Sequence, residues 1–152
     1  MSYENLIKWT YKHTKLHEHF VKNKNQITSW KINCGQIYTC YFGENIAAEK
    51  SKIEARPCVI VSANRINHNS SNVIVVPLSK TIKWDTNQPG RLKYPHHYVL
   101  YKSNYPLLNY DSAVQCEDIR CVSKVRLCTY ICNTTSKDLK GIQKCIKSAL
   151  QL

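Results

Sequence analysis

Glycine and proline are scarce in this chain, and long apolar runs are absent. Four Gly and five Pro occur among 152 residues, and no stretch approaches the length of apolar sequence that spans a bilayer. The N-terminus also lacks the apolar core of a signal peptide. We therefore expect a cytoplasmic protein that does not cross a membrane, with enough residues for one domain and one modest core.

Acidic residues are also few. The chain has 10 Asp and Glu against 22 Lys and Arg, which gives a formal net charge of +12. An excess of this size predicts a polyanionic partner, either a nucleic acid or an acidic protein. A basic surface that only keeps the protein soluble is the alternative that composition leaves open.

The eight cysteines include no Cys-x-x-Cys pair, which is a common spacing in zinc sites. Cys128 and Cys132 come closest, but no second pair at a usual spacing accompanies them. His13 and His17 are about one helical turn apart, and a solvated helix face accounts for them without a metal. We expect reduced cysteines that act as small apolar side chains, with no metal site and no cofactor.

The most informative stretch is a strand, a polar connection and a second strand. Residues 56–62 and 72–79 are rich in β-branched side chains and are separated by Asn, His and Ser. The connection is too short for a helical crossover, so we expect an antiparallel hairpin. Arg56 and Ser79 are equidistant from the centre of the connection and should meet at the open end. A cation beside a hydroxyl suits chemistry on a phosphate group.

The remaining segments predict a mainly β domain with helices. Residues 1–26 contain no Gly or Pro and predict a helix, so we divide the chain into a helical extension, 1–30, and a main domain, 31–152. The last segment predicts a helix from about Ser136, capped by Thr135 or by Ser136 itself. The fold class is therefore α+β.

Two long connections flank the hairpin, residues 43–55 and 80–93. Long loops in so small a domain are more often functional than idle. The second one, which we expect to be flexible, carries Lys80 and Trp84. A cation and an aromatic ring in one loop suit phosphate contact and base stacking, although a single Trp is more often a packing anchor.

Several segments, in this order and spacing, resemble the MazF/PemK family, the ribonuclease halves of bacterial toxin–antitoxin pairs. The resemblance covers the chain from about residue 33 to the C-terminus. It implies an SH3-like, CcdB-like small antiparallel barrel with a C-terminal helix, a homodimer, and an acidic antitoxin that folds across the Arg56 corner. The matching segments are residues 35–38, Glu49, residues 56–79, residues 94–97, residues 111–114, residues 117–120 and residues 126–127.

The resemblance also implies site residues. Cleavage of RNA without a metal needs a base, a cation on the phosphorane and an acid for the leaving oxygen. Arg56 suits the cation role, and Ser79 supplies a hydroxyl where the family usually has threonine. His97 matches a substrate-contacting histidine and is the candidate for proton transfer, because histidine exchanges protons near neutral pH.

Four further residues are predicted to bind RNA, and two of them depart from the family pattern. Glu49 keeps the acid of the family's Gly-Ser-Glu-Gln loop but has Ala48 and Lys50 as neighbours. Asp118 stands where glutamine is common, and its carboxylate would accept from a cytosine amino group and repel phosphate. The recognised sequence therefore cannot be borrowed from a relative. The four residues are Glu49, Lys80, Trp84 and Asp118.

We interpret the chain as a toxin endoribonuclease that cleaves single-stranded RNA at short sequences, without metal, through attack by the 2′-hydroxyl. The alternative is a non-catalytic basic barrel that binds RNA or a protein target such as gyrase. Arg56 together with a hydroxyl at position 79 favours the nuclease.

Overall fold

The computed structural model describes residues 3–46 and 54–152. Within those residues the chain forms three α-helices and seven β-strands, and no helix is long and apolar enough to cross a membrane. The helices are α1 (Tyr3–Asn23), α2 (Asn64–Asn69) and α3 (Ser136–Leu150), and the strands are β1 (Gln36–Cys40), β2 (Arg56–Ile60), β3 (Asn72–Ser79), β4 (His97–Leu100), β5 (Ser112–Gln115), β6 (Arg120–Ser123) and β7 (Leu127–Asn133).

The strands form one antiparallel sheet around β3. Their order is β4-β5-β3-β2-β1-β7, and β6 pairs with the N-terminal half of β3. The C-terminal end of β3 pairs with β5, while β2 lies along its other side. The predicted α+β fold, mainly β with a helix at each end of the chain, is confirmed.

The predicted hairpin is β2 and β3, and they pair antiparallel. The connection is not a simple polar loop, because it contains the short helix α2. Asn67 in this helix is fully buried, donates to the Ser62 carbonyl oxygen over 2.9 Å and also bonds the Ser62 hydroxyl. The buried Asn67 side chain thus holds α2 close to the end of β2. The sequence shows only that the connection is polar and does not reveal this contact.

Strand β4 is shorter than the sequence predicts. In the sequence, the alternation of Tyr98 and Leu100 with Val99 and Tyr101 predicts a strand over residues 94–101, but pairing begins only at His97. Pro95 has no backbone N–H to give to a strand partner, and the His97 amide turns back to donate to the Tyr94 carbonyl oxygen over 3.1 Å. The segment before β4 is therefore a turn.

The C-terminal helix α3 begins at Ser136 as predicted, and Thr135 is its N-cap. The Asp138 amide donates to the Thr135 hydroxyl over 3.1 Å. The Asp138 carboxylate also accepts from the hydroxyls of Tyr98 and Tyr105, and burial together with that hydrogen bond raises the pKa of Tyr98 to about 12. Ile142 is fully buried in the core under the sheet. The buried Ile142 and the bond from Tyr98 to Asp138 together hold α3 against β4.

The N-terminal helix is confirmed as α1, and it packs on the domain through Trp9. The Trp9 ring lies against Gly43, which has φ +84° and no room for a Cβ. The Arg126 guanidinium stacks 5.4 Å from the Trp9 ring, and Lys12 lies 4.5 Å from the Tyr41 ring. The helix therefore docks beside the start of the 43–55 connection.

Lys124 holds residues 27–30, the segment that follows α1, against the sheet domain by hydrogen bonds. Its side chain is almost fully buried, and its ammonium donates to the carbonyl oxygens of Ile27, Thr28 and Trp30 at 3.2, 3.2 and 3.0 Å. Burial lowers the pKa of Lys124. Three carbonyl acceptors satisfy all three N–H donors of the ammonium.

Candidate active site

The register of the hairpin brings Arg56 and Ser79 together. Cys58 pairs with Pro77 and Ile60 with Val75, so the same register continued by two residues places Arg56 opposite Ser79. Both side chains line a cleft of about 350 Å³ at the end of the hairpin away from α2. The structure thus joins the cation and the hydroxyl that are 23 positions apart in the chain.

Arg56 is half-buried in the wall of this cleft. Its Nη1 atom is buried and has no hydrogen-bond partner among the described residues. Burial lowers the pKa of Arg56, and the negative charge of Asp118 partly offsets that effect. The guanidinium keeps its charge at neutral pH. A buried donor without an acceptor costs free energy, and a phosphate oxygen would satisfy it.

Ser79 presents a hydroxyl whose proton is available. Its Oγ accepts a hydrogen bond from the Thr81 amide over 3.2 Å, which orients the side chain at the end of β3. A hydroxyl accepts and donates at the same time. Ser79 can therefore donate to an anion that Arg56 also binds.

Another wall of the cleft is formed by residues 107–110 and Ser112, which the sequence did not indicate as part of the site. Leu108 is buried and anchors it, while Leu107 and Tyr110 are 69% and 59% exposed. Lys80 places its ammonium 5.9 Å from the Tyr110 ring. The sequence feature that could have indicated this wall is Tyr110, an aromatic residue between the turn-forming residues Asn109 and Asp111. The wall residues are Leu107, Leu108, Asn109, Tyr110 and Ser112.

The other predicted RNA contacts lie in different places. Lys80 lines the cleft, and Asp118 lies within electrostatic range of Arg56. Trp84 is 43% exposed but is not among the residues lining the cleft. Glu49 falls outside the described residues.

The 80–93 connection is more regular than predicted. Trp84 forms a β-bridge with Leu92. On either side of this bridge, the Lys93 amide donates to the Lys83 carbonyl oxygen over 2.9 Å, and the Asp85 amide donates to the Arg91 carbonyl oxygen over 2.8 Å. The expected flexible loop is a small antiparallel ribbon that carries Trp84 on its surface.

His97 is separate from the Arg56 and Ser79 pair. It begins β4 opposite Gln115, whereas Ser79 pairs with Ala113 in β5, so an intervening strand lies between the two side chains. The His97 ring is buried, and its Nε2 atom lies 2.7 Å from the Glu117 carboxylate. The structure does not place His97 in the lining of the cleft among the described residues.

The chain is similar to one family of known proteins. The family model described as PemK-like, MazF-like toxin of type II toxin–antitoxin system matches residues 33–150. No curated protein sequence matches. The chain belongs to this toxin family, and the resemblance stated from the sequence is confirmed.

Solved structures share the fold. A mycobacterial endoribonuclease solved in complex with its cognate antitoxin is 26% identical, with a TM-score of 0.60 over 80% of this chain and 96% of that one. A second mycobacterial endoribonuclease is 23% identical, with a TM-score of 0.57 over 80% and 93%. MazF from Deinococcus radiodurans is 15% identical, with a TM-score of 0.63 over 81% and 99%. The chain is therefore homologous to toxins named as endoribonucleases.

Proposed function

We propose that the protein is an endoribonuclease that cleaves single-stranded RNA in the cleft between Arg56 and Ser79. The observation that supports this most is the buried Nη1 of Arg56, a donor that has no acceptor among residues 3–46 and 54–152, beside a hydroxyl that can donate to the same group. Two convergent donors in a cleft are suited to the extra negative charge of a phosphorane. The membership in a toxin family and the endoribonuclease relatives agree with it.

The reaction needs only the substrate and side chains. The ribose 2′-oxygen attacks the adjacent phosphorus, a new O2′–P bond forms and the P–O5′ bond breaks. The 2′-hydroxyl proton passes to a base, and an acid returns a proton to the departing 5′-oxygen. One product ends in a cyclic phosphate and the other in a 5′-hydroxyl. Arg56 and Ser79 stabilise the charge between these proton transfers, so no metal is required in the proposal.

The proton-transfer group stays a prediction. His97 with Glu117 forms a histidine–carboxylate pair of the kind that orients an imidazole. To act as the base, the His97 ring would have to come within hydrogen-bond reach of the 2′-hydroxyl beside the phosphate that Arg56 and Ser79 hold, and strand β5 lies between them. Arg56 itself is too basic to serve as a base near neutral pH, since it keeps its proton.

Substrate contacts beyond the phosphate follow from the walls of the cleft. Lys80 beside Tyr110 offers a cation and an exposed ring, which suits a phosphate next to a stacked base. Trp84 offers a second exposed ring on the ribbon, and Asp118 an acceptor near the cation. Glu49 remains a predicted contact from the preceding connection.

The direct test is incubation of the purified protein with a long unstructured RNA in the presence of EDTA. We expect discrete fragments that end in a cyclic phosphate or a 3′-phosphate, detected by gel electrophoresis and mass spectrometry. Because side chains supply the catalysis, chelation should leave the rate unchanged. RNA that is bound and shifted on a native gel but never cut would favour the non-catalytic alternative.

An acidic antitoxin and a second copy of the chain are the proposed protein partners. The charge of +12 and the antitoxin complex of a relative support the first. We expect an acidic antitoxin segment to displace fluorescent RNA from the cleft, and Arg56→Glu to weaken antitoxin binding more than Arg65→Glu at the far end of the hairpin. Equal losses for the two variants would contradict this placement.

Analytical ultracentrifugation of the active protein should show a dimer, and an active monomer would argue against one.

A further inference from the structure

A second cluster of chemistry-bearing side chains lies where the turn before β4 meets the short 3-10 helix at Cys116–Asp118. His96, His97 and Glu117 each offer a ligand atom there, and these atoms all lie within 4.8 Å of one another. The His97 Nε2 is 2.7 Å from one Glu117 oxygen, and the His96 Nε2 is 3.6 Å from the other. The structure assigns this cluster, outside the cleft, as a binding site for one zinc-type transition-metal ion.

The distances are close to those of a metal site. Zinc bonds of about 2.0–2.2 Å in a tetrahedron place neighbouring ligand atoms about 3.3 Å apart. The two nitrogen-to-oxygen distances lie on either side of that value, so small side-chain rotations would bring them to it. The His97 ring is buried, while the His96 and Glu117 side chains are 28% and 39% exposed.

The turn explains how two adjacent histidines reach one point. Successive residues in a strand face opposite sides of the sheet, but residues 94–97 leave the strand path because the His97 amide donates to the Tyr94 carbonyl oxygen. The two imidazoles then stand edge to face with centroids 5.1 Å apart, and the Tyr94 ring packs within 5.6 Å of both. This packing presents both Nε2 atoms to Glu117.

The donor set selects the metal class. Two imidazole nitrogens and one carboxylate suit Zn²⁺, Co²⁺ or Ni²⁺, whereas Mg²⁺ and Ca²⁺ favour six or more oxygens. Three protein ligands leave a fourth position for water. The Nδ1 of His97 is buried and has no hydrogen-bond partner among the described residues, so metal binding at Nε2 would leave an unpaired N–H donor there, a cost that limits the affinity of the site.

A bound ion would join the β4 turn to the 3-10 helix that carries Asp118, the carboxylate within electrostatic range of Arg56. It would also occupy the Nε2 atom of His97. The ion would therefore replace the hydrogen bond between His97 and Glu117. The metal site does not depend on the proposed function.

The test is titration of the metal-free, reduced protein with Zn²⁺ by isothermal calorimetry and with Co²⁺ by absorption spectroscopy. We expect one ion per chain and a cobalt spectrum without strong sulfur-to-cobalt charge transfer. His96→Gln and Glu117→Gln should each weaken binding roughly tenfold or more. His96 lies in a partly exposed turn, so circular dichroism should show that its variant is folded.

The matched control is the double variant His13→Gln/His17→Gln, which removes the histidine pair on α1 and should bind the ion as the parent does. Failure to bind a stoichiometric ion, parental affinity in both His96→Gln and Glu117→Gln, or loss of affinity in the α1 control would overturn the assignment. A strong sulfur-to-cobalt band would do the same, because it would place the ion on the cysteines.

Discussion

Arg56→Ala is expected to lower the rate of RNA cleavage by about a hundredfold or more, a loss of about 2.7 kcal/mol in the stabilisation of the transition state. The reason is that Arg56 provides the cation in the cleft, and its buried Nη1 has no acceptor in the part of the chain that the structure describes, so it can bond a phosphate oxygen. Arg56→Lys should restore little, because an ammonium cannot reproduce the two-pronged contact of a guanidinium. Single-turnover cleavage of an end-labelled RNA measures the effect.

Arg65→Ala is the matched control for this prediction. Arg65 lies exposed on α2, at the closed end of the same hairpin, so the variant removes the same charge without touching the cleft and should cleave at nearly the parental rate. At the neighbouring donor, Ser79→Ala should cost less than Arg56→Ala, and Ser79→Thr should stay active because it keeps the hydroxyl. Parental cleavage by Arg56→Ala would show that the proposed chemistry is wrong.

A single 2′-deoxy residue on the 5′ side of the scissile bond is expected to abolish cleavage at that bond. The 2′-oxygen is the nucleophile of the proposed reaction, so its removal deletes a reactant. Binding should change little, because phosphate and base contacts supply most of the affinity for single strands. Gel analysis of the products and fluorescence anisotropy of the same oligonucleotide separate cleavage from binding.

The control substrate carries the deoxy residue one nucleotide downstream and should be cut normally. Cleavage of the first substrate at the usual rate would mean that water or another group attacks the phosphorus. The products would then lack a cyclic phosphate, which mass spectrometry would reveal.

The Arg56 and Ser79 pair was predictable because it depends on one local rule. Antiparallel pairing of two adjacent strands brings together residues equidistant from the connection. The buried bonds of Asn67 changed the form of that connection to a helix but left this symmetry unchanged. Where the pairing of two neighbouring strands decides the geometry, the sequence pattern is sufficient to predict which residues meet.

The other wall of the cleft and the histidine cluster were not predictable in this way. Tyr110 reaches the cleft only because β5 pairs with the end of β3, and Glu117 reaches His97 only because Gln115 is opposite His97 in the sheet. The first contact depends on a pairing between strands that are not consecutive in the chain. The second depends on β4 and β5, which are consecutive, but nothing in their sequence indicated the register that places Gln115 opposite His97. The length of β4 was mispredicted for a local reason, since Pro95 and the backbone bond at Tyr94 form a turn where apolar alternation suggested a strand.

The Lys124 ammonium donates three hydrogen bonds to backbone carbonyl oxygens of residues 27–30, so residues before position 33 contact the main domain. The family match starts at residue 33, after the backbone oxygens that hold this ammonium. A chain shortened to the matched region would lack all three carbonyl acceptors, and the Lys124 ammonium would have to hydrogen-bond water in their place. The segment before residue 33 therefore supplies hydrogen-bond acceptors to a residue inside the matched region, so the packed structure extends beyond the boundary of the family match.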